Sequence, residues 1–249
     1  MKTSQMQSCI DFIRFNKEAE GFSMESEEED LLKEILDEEL NASDAIADVI
    51  KTMDLDTAYV DVPEMYYEDT GCLVNFFNIR DKKALKEVEN RIVPIRMAQI
   101  LAQDLPASFN FDTLCTLHSN LFSDIFPSAG CLRTEEAAKR TVFCQPQYIE
   151  QMAQSIFDKL RDDSYLYGKD RESFINDFAF YMGEVEALHP FLDGNGRTAR
   201  LFFYQIALRA GYDFNWFEMD HDRLTEADIC AIDGEYQLLI DVVSEFLIP

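Results

Sequence analysis

One stretch of twelve residues, 189–200, constrains this chain more than any other part of its sequence. It reads His-Pro-Phe-Leu-Asp-Gly-Asn-Gly-Arg-Thr-Ala-Arg. Before it, apolar residues recur at helical spacing from Phe174 to Leu188, and after it residues 201–210 have the composition of a buried helix. The pattern therefore predicts a helix, a short loop and a second helix, with the reactive side chains in and beside the loop.

The residue types in this loop suit an anionic ligand. The amino-terminal end of the second helix presents backbone N–H groups and the positive end of the helix dipole. Gly194 and Gly196 let the backbone approach phosphate oxygens closely. Arg197 and Arg200 lie three residues apart, so they share one helix face, and guanidinium groups match the geometry of phosphate oxygens. The sequence therefore predicts a phosphate-binding loop.

Two further side chains add reactive chemistry. Asp193 is a hard oxygen ligand, placed where bound phosphates would need Mg²⁺. His189 stands at the end of the first helix, where it is positioned to take a proton from an incoming hydroxyl. Together these residues predict nucleotidyl or phosphoryl transfer, in which positioning and charge neutralisation do most of the catalysis. A helix-capping loop with two solvated arginines is the alternative, and it leaves the carboxylate and both glycines without a role.

The stretch resembles the signature of the Fic (Fic/Doc) family, His-x-Phe-x-(Asp/Glu)-Gly-Asn-Gly-Arg-x-x-Arg, and matches it at every fixed position. The resemblance implies an all-α Fic fold with a small β-hairpin flap. It also implies transfer of AMP from ATP to a Tyr, Ser or Thr hydroxyl of a target protein. His189 would be the general base, Phe191 a core anchor of the loop, and Asp193 the ligand of the Mg²⁺ that bridges the α- and β-phosphates. The phosphate-binding set would be Gly194, Asn195 and Gly196 as the anion hole, Arg197 on phosphate, and Arg200 on the γ-phosphate.

The composition narrows the possible function classes. A formal net charge of -26 opposes direct binding to nucleic-acid phosphates. No apolar run approaches the ~20 residues that span a bilayer, and the amino terminus lacks an apolar signal core, so we expect a cytoplasmic protein without a membrane partner. The six cysteines have no Cys-x-x-Cys pair and no matching His spacing. This scatter favours reduced thiols over a zinc site or a disulfide framework.

Residues 1–58 differ from the rest of the chain, because they contain 16 acidic and 5 basic residues. Their patterns predict three short helices. Ser26 and Glu29 form a capping-box pattern at the start of the second helix, and Ser43 is the expected N-cap of the third. Three short helices bury too little to make an independent domain, so we expect them to pack on something else. We divide the chain into this segment and a catalytic domain at 59–249.

The end of the first predicted helix resembles the inhibitory motif of Fic proteins, (Ser/Thr)-x-x-x-Glu-(Gly/Asn). Here Asn16 stands where Ser or Thr is usual, followed by Glu20 and Gly21. The context after the motif resembles small antitoxins that hold Fic toxins inactive, fused here in front of the toxin. The resemblance implies that Glu20 pairs with Arg200 and takes the guanidinium that should receive the γ-phosphate. Alternatively, Glu20 is one more solvated acid, and Gly21 is an ordinary helix stop.

Residues from about 135 to 146 have the short alternating pattern of a strand pair or an extended flap. In the Fic family a β-hairpin at this place lies over the active site and pairs with an extended segment of the target. The resemblance therefore assigns target docking to Thr141, Val142, Phe143 and Cys144. Backbone pairing tolerates many sequences, so the flap does not identify the target protein.

Other predictions concern the frame around the loop. Asp81 is a good N-cap for a helix that runs through Leu101, and Gly211 should close the helix that follows the signature. His118 and His221 are interpreted as structural residues, since neither lies in a pattern that places it beside the loop. The frame thus contributes no second candidate base.

Three functions remain open at this point. AMP transfer is favoured, because phosphotransfer relatives lose the glycine after the asparagine and the second arginine, whereas Gly196 and Arg200 are both present. Removal of AMP from a modified protein would need Glu20 to orient a water molecule. A binding module with a permanently closed site would keep the signature without catalysis.

Overall fold

The computed structural model describes residues 3–58, 60, 65–137 and 142–249. Within these residues the chain is mostly helical, and the prediction of an all-α fold is confirmed. The helices are α1 Thr3–Ala19, α2 Ser26–Leu36, α3 Ala42–Thr52, α4 Lys82–Ala102, α5 Phe111–Phe122, α6 Ile149–Asp162, α7 Arg171–Leu188, α8 Asn195–Ala210, α9 His221–Ile232 and α10 Gln237–Phe246. None of the helices described is both long and apolar enough to cross a membrane.

Two very short strands, which the sequence pattern did not predict, accompany the helices. β1 Asp213–Phe214 pairs antiparallel with β2 Leu247–Ile248, and Phe214 lies opposite Leu247. Two residues are too few for a period-of-two pattern to be recognised. The pairing joins the segment after α8 to the end of α10.

The chain divides into two compact units. The first contains Met1–Asp104 and His118–Gly130, and the second contains Leu105–Leu117 and Cys131–Pro249. The three N-terminal helices therefore share a unit with α4. The proposed boundary between residues 58 and 59 stays a prediction about function, since this division follows packing alone.

In the first unit, α1, α2 and α3 all pack against α4. The α1 helix buries several apolar side chains, among them Ile10, Phe12 and Ile13 at 0% exposure. Ion pairs join α1 to α2, with an Arg14 Nη2 to Glu29 Oε2 distance of 2.6 Å and a second pair between Lys17 and Glu28. The expectation that these short helices pack on another element is thus confirmed.

Two predicted helix caps are wrong. Ser26 is the first helical residue of α2, and Glu25 precedes it in an extended conformation without a side-chain cap bond, so Ser26 and Glu29 form no capping box. The cap of α3 is Asn41, whose side chain accepts a hydrogen bond from Ser43 N at 2.8 Å. Asn is as good an N-cap as Ser, and because Asn41 stands two residues before Ser43, the helix begins two residues earlier than predicted.

Two other helix ends agree with prediction. Asp81 Oδ1 accepts a hydrogen bond from Ala84 N at 2.8 Å and caps α4, which ends one residue past Leu101. Gly211 follows α8 with a φ of 87°, in the left-handed region that favours glycine. Asp81 thus marks the start of α4, and Gly211 marks the end of α8.

The second unit is built around α7 and α8. The α7 helix packs against α6, α8, α9 and α10. Aromatic rings fill the space between them: Phe178 meets Phe203 edge-on with ring centroids 5.4 Å apart, and Tyr204 meets Trp216 at the same separation. Buried aromatic contacts of this kind hold both helices rigidly. The loop between α7 and α8 is therefore anchored at both ends by well-packed helices.

One close approach in this unit depends on the absence of a side chain. A Cβ atom at Gly183 in α7 would lie 2.8 Å from Ala231 Cβ and 2.9 Å from Tyr236 Cε1. We expect Gly183→Ala to lower the free energy of unfolding by about 1–3 kcal/mol, because overpacking outweighs the gain in helix propensity. Urea denaturation measures the change.

The double variant Gly183→Ala/Ala231→Gly serves as the control, since it removes one of the atoms that the new methyl group meets. It should recover part of the lost stability. A single variant as stable as the wild type would contradict the close packing of α7.

Candidate active site

The loop begins where α7 ends at His189. This residue follows Leu188 as the C-cap and has a φ of 44° and a ψ of 60°, in the left-handed region. Its N–H still donates to Val185 O at 3.2 Å. Left-handed backbone is uncommon for residues other than glycine and is often found at functional sites. The candidate base therefore lies at a bend that the surrounding structure must hold.

The side chain of Asn195 closes the loop. Its Oδ1 accepts from Phe191 N at 2.9 Å, and its Nδ2 donates to Phe191 O at 2.8 Å. Phe191 is 1% exposed, which agrees with its predicted role as an anchor in the core. The Asn195 side chain is thus committed to the loop itself. Any part that this residue plays in an anion hole falls to its backbone N–H.

The amino-terminal end of α8 faces the same loop. Gly194 is its N-cap, with a left-handed φ of 76°, and the first intrahelical bond runs from Thr198 N to Gly194 O at 3.0 Å. The N–H groups of Asn195 and Gly196 precede this ladder, as helix geometry requires. Together with the helix dipole they make the predicted anion-binding end of a helix.

The two arginines lie close to this end. A Cβ at Gly196 would lie 3.0 Å from Arg200 Nη1, so the Arg200 guanidinium covers the first turn of α8 and a side chain at 196 would displace it. Arg197 is 5% exposed, and its Nη2 lies 3.8 Å from Asp193 Oδ1. The structure therefore brings together Asp193, Gly196, Arg197 and Arg200 as predicted from their spacing.

The imidazole of His189 is covered by a residue of the predicted flap. Phe143 stacks on it with ring centroids 3.7 Å apart and an angle of 9° between the planes. Backbone bonds hold the adjoining residues: Phe143 N donates to Ala137 O at 3.4 Å, and Cys144 N donates to Ala187 O at 3.0 Å. His189 is accordingly 8% exposed.

Of the other predicted flap residues, Val142 is 77% exposed and Thr141 lies outside the described residues. A single exposed apolar side chain is ordinary and does not by itself indicate a docking surface. The assignment of target docking to this segment stays a prediction.

Similarity to known proteins identifies the family of this chain. A family model described as the Fic/DOC family matches residues 108–207. The chain is 30% identical over 184 residues to a protein of Escherichia coli named "Probable protein adenylyltransferase Fic", covering 72% of this chain and 89% of that one. This chain belongs to the Fic/DOC family.

Two further relatives extend the comparison. The Fic/DOC chain is 33% identical over 172 residues to "Protein adenylyltransferase VbhT" of Bartonella schoenbuchensis, covering 69% of this chain but 36% of that one. Its fold matches the crystal structure of BepC from Bartonella tribocorum, a protein with bound AMPPNP, with a TM-score of 0.68, 24% identity, and coverage of 74% of this chain and 96% of that one. The Fic fold expected from the signature is confirmed.

The donor set of the Fic/DOC loop fits a nucleotide-bound Mg²⁺ rather than a metal held by protein alone. Asp193 is 38% exposed, and its Oδ1 also accepts from Gly194 N at 2.7 Å. Among the residues that the structure describes, no group of three or more His, Cys, Asp or Glu is placed to hold a metal ion. Mg²⁺ commonly takes one or two carboxylates and completes its shell with phosphate oxygens and water. Asp193 would supply the carboxylate.

Sequence reasoning missed Arg133, which lies just before the flap and is 2% exposed. Its Nε donates to His189 O at 2.6 Å, and its backbone N–H donates to Pro190 O at 2.9 Å. Burial lowers the pKa of this guanidinium from its ordinary value. A single arginine outside any motif carries no spacing signal, so only the fold reveals its place beside the candidate base.

Two buried carboxylates near Arg200 were also missed. Asp228 in α9 is buried, and its pKa is raised well above the ordinary value, mainly by burial and then by the charge of Glu186 in α7, while Arg200 acts in the opposite direction. Within the described residues, Asp228 Oδ1 accepts no hydrogen bond. Both acids read as ordinary members of helices in the sequence, because nothing there shows which faces meet.

The proposed inhibitory residues lie in the first unit. Asn16 is 2% exposed and its Nδ2 donates to Phe12 O at 2.9 Å, inside its own helix. Glu20 Oε2 lies 3.2 Å from Lys86 Nζ, and Gly21 has a left-handed φ of 88°. Arg200 belongs to the second unit. The pairing of Glu20 with Arg200 stays a prediction.

The raised pKa of Asp228 has a consequence for stability. Because the folded state binds this proton more tightly than the unfolded state, the stabilisation is fully present below the ordinary pKa of 3.8 and is lost as the pH rises through the raised value. Asp228→Asn removes the titration, so we expect it to raise the free energy of unfolding by about 1–3 kcal/mol at pH 8 and to change it little at pH 4.

Thermal and urea unfolding across this pH range check the expectation. Asp222→Asn is the control, since Asp222 lies on the same helix with its side chain 92% exposed. It should leave the pH dependence as it is in the wild type. Equal pH profiles for Asp228→Asn and the wild type would show that Asp228 does not bind its proton more tightly in the folded state.

Proposed function

We propose that this chain is a protein adenylyltransferase that transfers AMP from ATP to a Tyr, Ser or Thr hydroxyl of a target protein. The observation that carries the proposal is the complete signature loop, with His189 at the end of α7, Asp193 in the loop, and Arg197 and Arg200 on the first turns of α8. The names of the Escherichia coli and Bartonella schoenbuchensis relatives support this activity.

The chemistry assigns one task to each group. An imidazole nitrogen of His189 takes the proton of the acceptor hydroxyl, whose oxygen attacks the α-phosphorus of ATP. The bond from that phosphorus to the bridging oxygen breaks, and pyrophosphate leaves. The N–H groups of Asn195 and Gly196 and the two guanidinium groups neutralise the charge that develops on the phosphate oxygens. Mg²⁺, held by Asp193 when bound, would supply further charge neutralisation on the phosphates.

His189→Ala should abolish transfer, because no other described side chain holds its position at the end of α7. The measurement is incorporation of label from ATP labelled at the α-phosphate, in a lysate and on the protein itself. The matched control is His221→Ala, because the side chain of His221 is 40% exposed. This variant should retain activity. A folded His189→Ala protein that labels at the wild-type rate would exclude His189 as the base.

The N-terminal segment is proposed to restrain the enzyme, with Glu20 competing against the γ-phosphate for Arg200. The motif ending in Glu20 and Gly21 supports this proposal, and the side chain of Glu20 is 28% exposed. Its ion pair with Lys86 offers a competing role, in which Glu20 stabilises the packing of α1 on α4. A partly exposed pair of this kind contributes about 1 kcal/mol or less.

Glu20→Gly should raise AMP incorporation at least about tenfold, the effect of removing roughly 1.4 kcal/mol of competition for one guanidinium. Lys86→Met breaks the same ion pair but leaves the Glu20 carboxylate, so it should keep activity near the wild-type level. Glu18→Gln controls for the loss of a negative charge at the end of α1. Equal labelling by the wild type and Glu20→Gly would rule out the restraint.

The same variants distinguish AMP transfer from AMP removal. If Glu20 orients a water for removal, Glu20→Gly should lose the ability to release AMP from a target that has been modified beforehand. Restraint alone predicts no such loss, since the carboxylate then takes no part in the chemistry.

A further inference from the structure

The guanidinium of Arg133 joins three separate segments of the second unit. Its Nε donates to His189 O at 2.6 Å, its Nη1 donates to Glu135 O at 2.7 Å, and its Nη2 donates to Cys144 O. In the described part of the chain these acceptors are all backbone carbonyls. An arginine that is 2% exposed and bound to carbonyls holds backbone rather than balancing a carboxylate.

The three carbonyls belong to the predicted flap and to the candidate base residue. Glu135 and Cys144 lie before and after residues 138–141 of the predicted flap, and His189 is the candidate base. Two further links run in parallel, from Cys144 N to Ala187 O at 3.0 Å and from the Phe143 ring to the imidazole. Arg133 therefore contacts the flap segment at two residues, Glu135 and Cys144, and contacts the candidate base residue as well.

We propose that Arg133 is a positioning residue, which sets the direction of the His189 imidazole relative to the flap. The inference rests on the proposed function, since it concerns the approach of an acceptor hydroxyl to that base. His189 has a left-handed backbone, and the bond to its carbonyl oxygen fixes this conformation, which in turn fixes where the ring points. By holding the flap at Glu135 and Cys144, the same guanidinium sets the distance between a docked target and the base.

The chemistry of the side chain explains why an arginine is needed here. The planar guanidinium carries five N–H donors in a fixed fork, so it reaches three carbonyls in different directions from one position. The ammonium of lysine is a point charge on a flexible stem and cannot span the same three acceptors. A displacement of about 1 Å at a catalytic group costs on the order of 100-fold in rate.

The experiment uses the full chain with Arg133→Lys, in both the wild-type and the Glu20→Gly backgrounds. The control is Arg209→Lys, because Arg209 Nη1 also donates to two backbone carbonyls of the second unit, Pro106 O at 3.1 Å and Ala107 O at 2.9 Å. We expect Arg133→Lys to reduce the rate of AMP transfer about 10- to 100-fold while Mg-ATP affinity changes less than about threefold. Arg209→Lys should keep its transfer rate within about twofold, even if its Tm falls equally.

A second measurement does not depend on activity. The chain has three histidines, so the imidazole resonance of His189 can be assigned by proton NMR with one His→Ala variant for each. Stacking on Phe143 shifts that resonance by the ring current. Arg133→Lys should move the His189 resonance toward its position in an unstacked imidazole, and Arg209→Lys should leave it in place. If Arg133→Lys does not fold, Arg133→Gln, which keeps one NH₂ donor, replaces it.

The outcomes separate this inference from the proposed function. If Glu20→Gly transfers AMP, and Arg133→Lys in that background transfers it equally fast with an unmoved His189 resonance, the positioning role is overturned. Equal losses of rate in Arg133→Lys and Arg209→Lys, in step with their Tm values, would also overturn it. If no variant transfers AMP, the proposed function fails, and the NMR shift alone then decides whether Arg133 orients His189.

Discussion

The loop between α7 and α8 depends on the two hydrogen bonds between the side chain of Asn195 and the backbone of Phe191. They satisfy a buried N–H and a buried carbonyl that would otherwise destabilise the fold by about 1–3 kcal/mol each. They also commit the Asn195 side chain to the loop, while the first backbone N–H groups of α8 lack intrahelical acceptors, as at the start of any helix. The buried Phe191 ring anchors the same loop in the core, so core packing rather than surface contacts holds the site in place.

Charge is the second constraint on this site. The chain is strongly acidic, and a phosphate-binding loop within it needs a local concentration of positive charge. Arg197 is buried beside Asp193, whereas Arg200 covers the first turn of α8 and lies within reach of the field of Asp228 and Glu186. Each guanidinium therefore lies within electrostatic reach of an acidic side chain of its own unit, Arg197 of Asp193 and Arg200 of Asp228.

His189 is held by a different kind of interaction, since neither the position of its ring nor its left-handed backbone follows from helix geometry. Phe143 covers the ring, and Arg133 binds the carbonyl oxygen. Both residues come from the segment around the flap, some fifty residues earlier in the chain. The contacts of the flap segment and those of His189 are consequently parts of one network.

The sequence by itself determined the helix, loop and helix around 189–200 and the placement of Arg197 and Arg200 on the first turns of the second helix, because these follow from local spacing, and it determined the family through the signature motif. It misjudged two helix caps, since Glu25 rather than Ser26 precedes α2, and Asn41 rather than Ser43 caps α3. Only the tertiary structure decided the neighbours of the site, including Arg133, Phe143 and Asp228. Their places depend on which faces of distant segments meet, and burial, not spacing, makes those meetings favourable.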